Sequence, residues 1–510
     1  MQENPNGHVQ RVYKREPGPL LPFQSLLMDV PLSTRRLIAE RHSRAQYKVP
    51  PSENLFARCA VGTLRKLRER AQEGGIVPLK LGFLSHDFSD HPTAHMVEGI
   101  YVMLNNLTDK GLYPTTQLAT YSYGKDDGSS YRSEIERHSN PFRDIVMLGF
   151  SEASKRICDD EIQVLLEMQM HTMGNRLEIT ARHPAPVSVN YLIYPGTGGA
   201  AFVDALLADA VVVPPEHAVH YSEQLILLPP TYQISFFHRE APKSLPPINR
   251  AEQLELRAKY GLPTDPDAIV LCNFNKIDKL DLSSLDLWFN IMARLPLSYL
   301  WLVQPGKSRE GWFDATEQNH LVETHLRHYA ALRGVVADRI IYAPRVGKTD
   351  HIARHGAADL FVDTVVYSAH STATDSLRGG LPVLTVVGGA FPARVVPSLY
   401  ASLGASQLED VLVAHSKREF EDTAVRLLRS PGLVSMMGLK QELRQVVEEQ
   451  RGFFDNRRAV RHFLAGMQSS VEVRAMTLDL DLDVNTGVNL VDDATMMMNY
   501  NVVVTEESDQ

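Results

Sequence analysis

The sequence predicts an α/β protein built from two doubly wound parallel sheets. Three observations carry this. Units of strand, loop and helix recur along the chain, as in open α/β sheets. The strands are short runs that are apolar throughout, the pattern of strands buried on both faces. And 510 residues exceed the ~250–300 that one hydrophobic core accommodates.

Taken in order, residues 1–22 are punctuated by Pro and Gly and read as a flexible N-terminus, and residues 23–77 as a helical linker with helices near Leu32–His42 and Asn54–Gln72. At Val77 the pattern changes. VPLKLGFLS is a strand, HDFSDHPTAH a polar loop and MVEGIYVMLNNL a helix. The same grammar repeats when VSVNYLIY runs through PGTGG into AAFVDALLADA, read as a helix, and when AIVLCNFN runs through KIDKLD into LSSLDLWFNIMARL. LFVDTVVYSAH leads into STATDSLRGG, while SYLWLV and LPVLTVV are further buried strands. These units divide into a first domain over 78–262 and a second over 263–468, with 469–510 an acidic tail. No internal repeat of about 20–50 residues is found.

The net charge of -9 is concentrated at the end. Residues 475–510 hold eight Asp and Glu with no Lys or Arg, leaving -1 for the rest. No basic excess points to nucleic acid. No run of about 18 apolar residues suits a bilayer and the opening residues lack an apolar signal core, so a cytoplasmic or nuclear location is expected. Cys59, Cys158 and Cys272 are too scattered for a clustered metal motif and too few for a disulfide framework, so they are expected to be reduced core residues.

In open α/β sheets ligands sit beyond the carboxyl ends of the strands, which directs attention to the strand-to-helix loops. Ala369-His370-Ser371-Thr372-Ala373-Thr374-Asp375 follows a strand and opens a helix. Two readings stand: Ser371 as a plain N-cap beside a surface histidine, or a diphosphate seat made of free N–H groups and hydroxyls, with Asp375 one turn in to accept ribose hydroxyls. His351 and Arg354, three apart, share a helix face and could edge a base, with Lys348 near a phosphate or ribose oxygen; the alternative is a solvated basic turn. Lys279 is either solvent-facing at a strand end or placed to neutralise a leaving phosphate. Asp87, His91, Thr93 and His95 crowd one loop. No metal is expected there, because the H-x-x-x-H spacing lacks the Glu of H-E-x-x-H and Pro92 favours a loop. The Tyr194–Gly199 loop, YPGTGG, lacks a P-loop ending and reads as a close backbone approach.

In their order and wording these segments resemble the catalytic region of protein O-GlcNAc transferases. The resemblance rests on GFLSHDFSDHPTAH, RHPAPVSVNYLIYPGTGG, YSEQL at 221–225, YGLPTDPDAIVLCNFNKIDKLD, RIIYAPRVGKTDHIARHGAADLFVDT and AHSTATDSLRGGLPVLT, with LSTRRLIAERH at 32–42 resembling the linker. It covers roughly 23–465. It implies a GT-B architecture, two Rossmann-like domains facing a cleft, and metal-independent inverting transfer of GlcNAc from UDP-GlcNAc to Ser or Thr of proteins, with no cofactor. By resemblance, the catalytic residues are Lys279, His91 and Asp87. The UDP contacts are Lys276, Val346, Lys348, His351, Arg354, His370, Ser371, Thr372 and Asp375. Thr93, His95, Leu192 and Pro195 line the sugar and acceptor pocket.

Departures from the family pattern gather on one side. Its His pair ahead of the linker motif appears as Phe23-Gln24, its lysine in the G-Y-T-K-G loop as Met173, its Gly before Y-P-G-T as Ile193, and its Cys three before the helix-start His as Tyr367. Lys276 stands where the family has Gln in N-F-N-Q. The first four remove a polar partner or add bulk near the expected sugar pocket. Two other readings therefore stay open: a transferase of the same superfamily with another donor sugar, such as fucose, and a catalytically silent UDP-binding scaffold. The family's animal members also carry tandem helical repeats that capture protein substrates and a long insertion between the two domains, so substrate capture is expected to differ here unless the chain is part of a longer one.

Overall fold

Runs such as VLLE at 164–167 and LFV at 360–362 bury every side chain, which requires cover on both faces and so selects a parallel sheet between helices. The computed structural model describes residues 18–72, 78–109, 116–236, 249–304, 315–429, 432–483 and 502–503. The first strands are β1 (Leu79–Ser85), β2 (Thr116–Ser122), β3 (Phe142–Asp144), β4 (Val164–Glu167), β5 (Val187–Asn190), β6 (Ala205–Ala208) and β7 (Gln224–Leu227). There follow β8 (Ile269–Asn273), β9 (Ser298–Val303), β10 (Ile340–Ala343), β11 (Leu360–Val362), β12 (Val383–Val386), β13 (Val413–Ala414) and β14 (Val502–Val503). They form two parallel sheets in the orders β14-β7-β6-β5-β4-β1-β2-β3 and β10-β9-β8-β11-β12-β13.

Four expectations are corrected. Ala205–Ala208, inside the stretch read as a helix, is strand β6 between β5 and β7. Its four residues are all buried, and pairing on both edges overrides the helical preference of Ala and Leu. Pro92 does not hold a loop but opens the helix Pro92–Asp109, because at the first helical position its missing N–H costs nothing. Thr93 and His95 thus sit on a first helical turn. Cys59 and Cys158 are not reduced: they form a disulfide across 99 residues, with Cα atoms 5.3 Å apart. The turn Phe56–Val61 folds onto the helix Phe150–Asp159, and Leu55 completes the buried contact. Distance along the chain does not limit such a pair; Cys272 alone remains a free, buried thiol.

The fourth concerns the end of the chain. The helix Asn456–Asp483 runs on through Ser469, and Val502–Val503 pair with β7. Val460, Phe463, Leu464 and Met467 pack into the core of the first sheet, so this helix crosses back from the second domain. The rest of the tail, and residues 1–17 of the expected N-terminus, lie outside the described residues.

The two domains also meet directly. Asp209 in the first accepts a bond from Ser398 Oγ in the second at 2.6 Å, Arg394 Nε donates to Val211 O at 2.6 Å, and Phe391 packs edge-on against Tyr232.

Candidate active site

The second-domain half of the site begins at β11. Asp363, directly after the strand, is buried and accepts bonds from Ala369 N, Thr364 N and Thr385 Oγ1, each at 2.8 Å. One carboxylate thereby folds residues 364–369 into a tight loop that delivers the helix Ser371–Arg378. No side chain caps this helix, so its first N–H groups are left for a ligand, and the positive end of the helix dipole points the same way. The His370 ring gives its Nε2 proton to Pro392 O at 3.1 Å. Burial, and then the charge of Lys279, hold this imidazole neutral, well below the ordinary histidine value.

Lys279 ends a short 3₁₀ turn after β8. Its Nζ donates to Ser368 O at 2.9 Å and lies 4.3 Å from the centroid of the Tyr367 ring. Burial lowers this lysine to about 8, so it is mostly charged at neutral pH. Beyond the helix start, Lys348 Nζ lies 2.7 Å from the Asp375 carboxylate and His351 Nε2 lies 3.7 Å from it. Arg354 donates to His351 Nδ1 at 2.7 Å, which fixes the proton of the neutral ring on Nε2. Arg354 is 2% exposed as a residue, and its guanidinium stacks over Phe274 at 4.2 Å and bonds Pro344 O. Arg354 is therefore placed to orient His351 from behind. Lys276 points away, paired with Asp278 at 2.7 Å with its side chain 71% exposed. Val346 is exposed at the margin.

The first-domain half stands at the end of β1. Asp87 receives a bond from Gln169 Nε2 at 2.8 Å, His86 Nδ1 lies 3.0 Å from its carboxylate, and His91 Nδ1 lies 3.5 Å away. Burial works against the charge, but the His86 bond, the charge of His91 and the Gln169 bond together hold the carboxyl below its ordinary value. Thr93 bonds His91 Nδ1 through its backbone N–H at 3.3 Å. His95 bonds Asp90 at 2.8 Å and lies against the Tyr131 ring. It is lowered to about 4 by burial and, second, by the charge of Lys348. That charge comes from the other domain, so the two halves face one cleft.

The loop after β5 closes the near wall. Leu192 sits at φ 89, a conformation costly for a branched side chain. At Gly199 (φ 59) an added Cβ would lie 2.2 Å from Glu40 N, so the expected close approach is made by the linker helix Leu32–Gln46. Pro195 lines an interdomain crevice with Leu26, Arg35, Tyr221 and Pro392. Phe23 and Tyr367, from opposite sides of this cleft, have ring centroids 6.5 Å apart and join one apolar cluster with Leu26, Met170 and Tyr194. Ile193 is half-buried and Met173 is 65% exposed. Sequence reasoning missed His86, Gln169 and Asp363. Only Asp363 had a usable signal, an acidic residue ending an otherwise apolar strand. Among the described residues no group of three or more His, Cys, Asp or Glu is placed to hold a metal, and no helix is long and apolar enough to cross a membrane.

Two parallel α/β domains, with loops at the carboxyl ends of strands from both sheets meeting across a cleft, make up the GT-B fold class. The model described as glycosyl transferase family 41 matches residues 10–246 and 246–457, and the chain belongs to that family. It is 33% identical over 374 residues to the probable UDP-N-acetylglucosamine–peptide N-acetylglucosaminyltransferase SEC of Arabidopsis thaliana, covering 73% of this chain and 35% of the relative. It is 26% identical over 456 residues to the UDP-N-acetylglucosamine–peptide N-acetylglucosaminyltransferase of Caenorhabditis elegans, covering 68% of this chain and 37% of the relative. The chain thus spans about a third of the length of these curated relatives. A mutant O-GlcNAc transferase of Thermobaculum terrenum shares the fold, with a TM-score of 0.70 at 21% identity over 90% of this chain and 77% of that one.

Proposed function

We propose that this chain transfers GlcNAc from UDP-GlcNAc to Ser or Thr hydroxyls of proteins, with inversion and without a metal. The observation that carries the reading is the meeting of the Lys279 ammonium with the uncapped start of the helix Ser371–Arg378. As the acceptor oxygen bonds to the anomeric carbon, the bond from that carbon to the β-phosphate oxygen breaks and UDP leaves with the electron pair. An ammonium and a helix N-terminus stabilise that leaving charge. Asp375 and Lys348 suit the ribose, and His351, oriented by Arg354, the base. The hydroxyl proton passes towards Asp87 and His91, while Thr93, His95, Leu192 and Pro195 wall the sugar and acceptor. A cytoplasmic or nuclear location goes with this reading, with the Cys59–Cys158 disulfide counting against it.

A second reading, a UDP-binding scaffold without transfer, is favoured by Lys279 being engaged with Ser368 O and the Tyr367 ring and by the apolar packing of Phe23 on Tyr367. The deciding experiment incubates the purified chain with labelled UDP-GlcNAc and Ser/Thr peptides, alongside Lys279→Met, while UDP binding is measured by calorimetry. Transfer that falls at least ~100-fold in Lys279→Met, the scale of losing one charge-stabilising donor, supports the enzyme. UDP binding with neither transfer nor donor hydrolysis supports the scaffold.

A further inference from the structure

Lysine is a point charge on a flexible stem, and something must hold it where a phosphate arrives. Carboxylates usually do so, but a carboxylate also cancels the charge that the phosphate needs. Among the described residues no carboxylate lies within ion-pair distance of Lys279: Asp278 is paired with Lys276 at 2.7 Å and buried Asp363 is held by Ala369 N, Thr364 N and Thr385 Oγ1, both favouring the charged lysine from farther off. Instead the ammonium rests 4.3 Å from the Tyr367 ring centroid and bonds Ser368 O. The same ring is stacked with His370, centroids 4.7 Å apart and planes 27° from parallel.

We propose that Tyr367 is a positioning residue for Lys279, its ring face and the adjoining Ser368 carbonyl holding the ammonium at the diphosphate seat without neutralising it. An aromatic face attracts a cation through its quadrupole yet carries no net charge, so this contact holds the ammonium without cancelling its charge. The ring is itself fixed. Tyr367 O accepts a bond from Thr364 Oγ1, Ser368 N and Oγ both bond Pro392 O at 2.8 Å, and Phe23 backs the ring from the N-terminal segment. This assignment rests on the donor reading above, since it is UDP that gives the ammonium its task.

Three variants test it: Tyr367→Phe keeps the ring, Tyr367→Leu keeps an apolar side chain without a π face, and Tyr367→Ala opens the space. By calorimetry at pH 7, Tyr367→Phe binds UDP within about twofold of the parent, and the Leu and Ala variants bind about tenfold more weakly, within the range of a desolvated cation–π contact. NMR of ¹³Cε-labelled lysines, with Lys279 assigned through Lys279→Met, reads the ammonium with no nucleotide present. Lys279 titrates near 8 in the parent, where burial lowers it, and in Tyr367→Phe, and at a lower pH in Tyr367→Leu, because an apolar side chain keeps the burial but no longer favours the ammonium as a π face does. A Lys279 titration that is unchanged or raised in Tyr367→Leu, or parental UDP affinity in that variant, overturns the proposal. If Tyr367→Leu lowers the Lys279 titration but the parent binds no UDP, the donor reading falls and the positioning of Lys279 stands.

Discussion

The two ends of the cleft hold their side chains by different physics. At the Lys348–His351–Asp375 end, charge pairs and a histidine of fixed tautomer are locked by hydrogen bonds, with Arg354 buried behind them. At the Phe23–Tyr367 end, rings and aliphatic chains from the N-terminal segment and both domains pack on one another. Hydrogen-bonded charges demand one geometry and reject substitutes; apolar contacts accept any side chain of suitable size. On the proposed function, the first end would select the nucleotide, and the second has more room for side chains to vary.

The largest effect that would break this contrast, after Lys279→Met, is expected at Asp375. Asp375→Ala removes the ribose acceptor and leaves Lys348 unpaired, and should weaken UDP binding about 10- to 100-fold, the scale of losing a buried charged hydrogen bond. A loss below about threefold by calorimetry would mean that this end does not hold the nucleotide. A smaller effect concerns stability and pH. Burial holds His171 at about 4 and His355 at about 3, both below the unfolded value of about 6.5. These rings must remain neutral in the fold. Their contribution is intact above pH ~6.5 and is lost as pH falls, at about 1.4 kcal/mol per pH unit for each. Urea unfolding at pH 7 and pH 5 should register that slope, and His171→Gln should reduce it by one proton; an unchanged slope contradicts the assignment. The smallest effect belongs to the other end. Met173→Lys, on an exposed loop, should alter UDP affinity by no more than about twofold, since exposed charges contribute little. A large gain would show that the two ends are not independent.

How much of this was legible in the sequence differed by region for the same reason. Strand β11 and the helix after it were read correctly because a buried run followed by small and hydroxylated residues has few structural interpretations. Ala205–Ala208 was misread because four residues carry too little periodicity to separate a helix from a buried strand. Lys348, His351 and Asp375 were grouped by resemblance, and the structure brings Lys348 and His351 within 2.7 and 3.7 Å of the Asp375 carboxylate. Lys276, grouped with them, turns away because Asp278 offers a partner two residues on. No spacing rule reveals that Tyr367 lies over Lys279, because 88 residues separate them in the sequence. The same holds for Cys59 and Cys158, whose pairing depends on where two distant helical segments come to rest.

The returning helix Asn456–Asp483 has a practical consequence for anyone dissecting this protein. The family match ends at residue 457, an inviting place to cut, yet Val460, Phe463, Leu464 and Met467 beyond it are part of the first sheet's core. A fragment stopped there would expose Phe83 and Tyr191, which face the Phe463 ring. A fragment of the first domain alone would do the same. The helix ties the carboxyl-terminal part of the chain into the core of the first domain, so a fragment carrying the first domain needs this helix supplied with it.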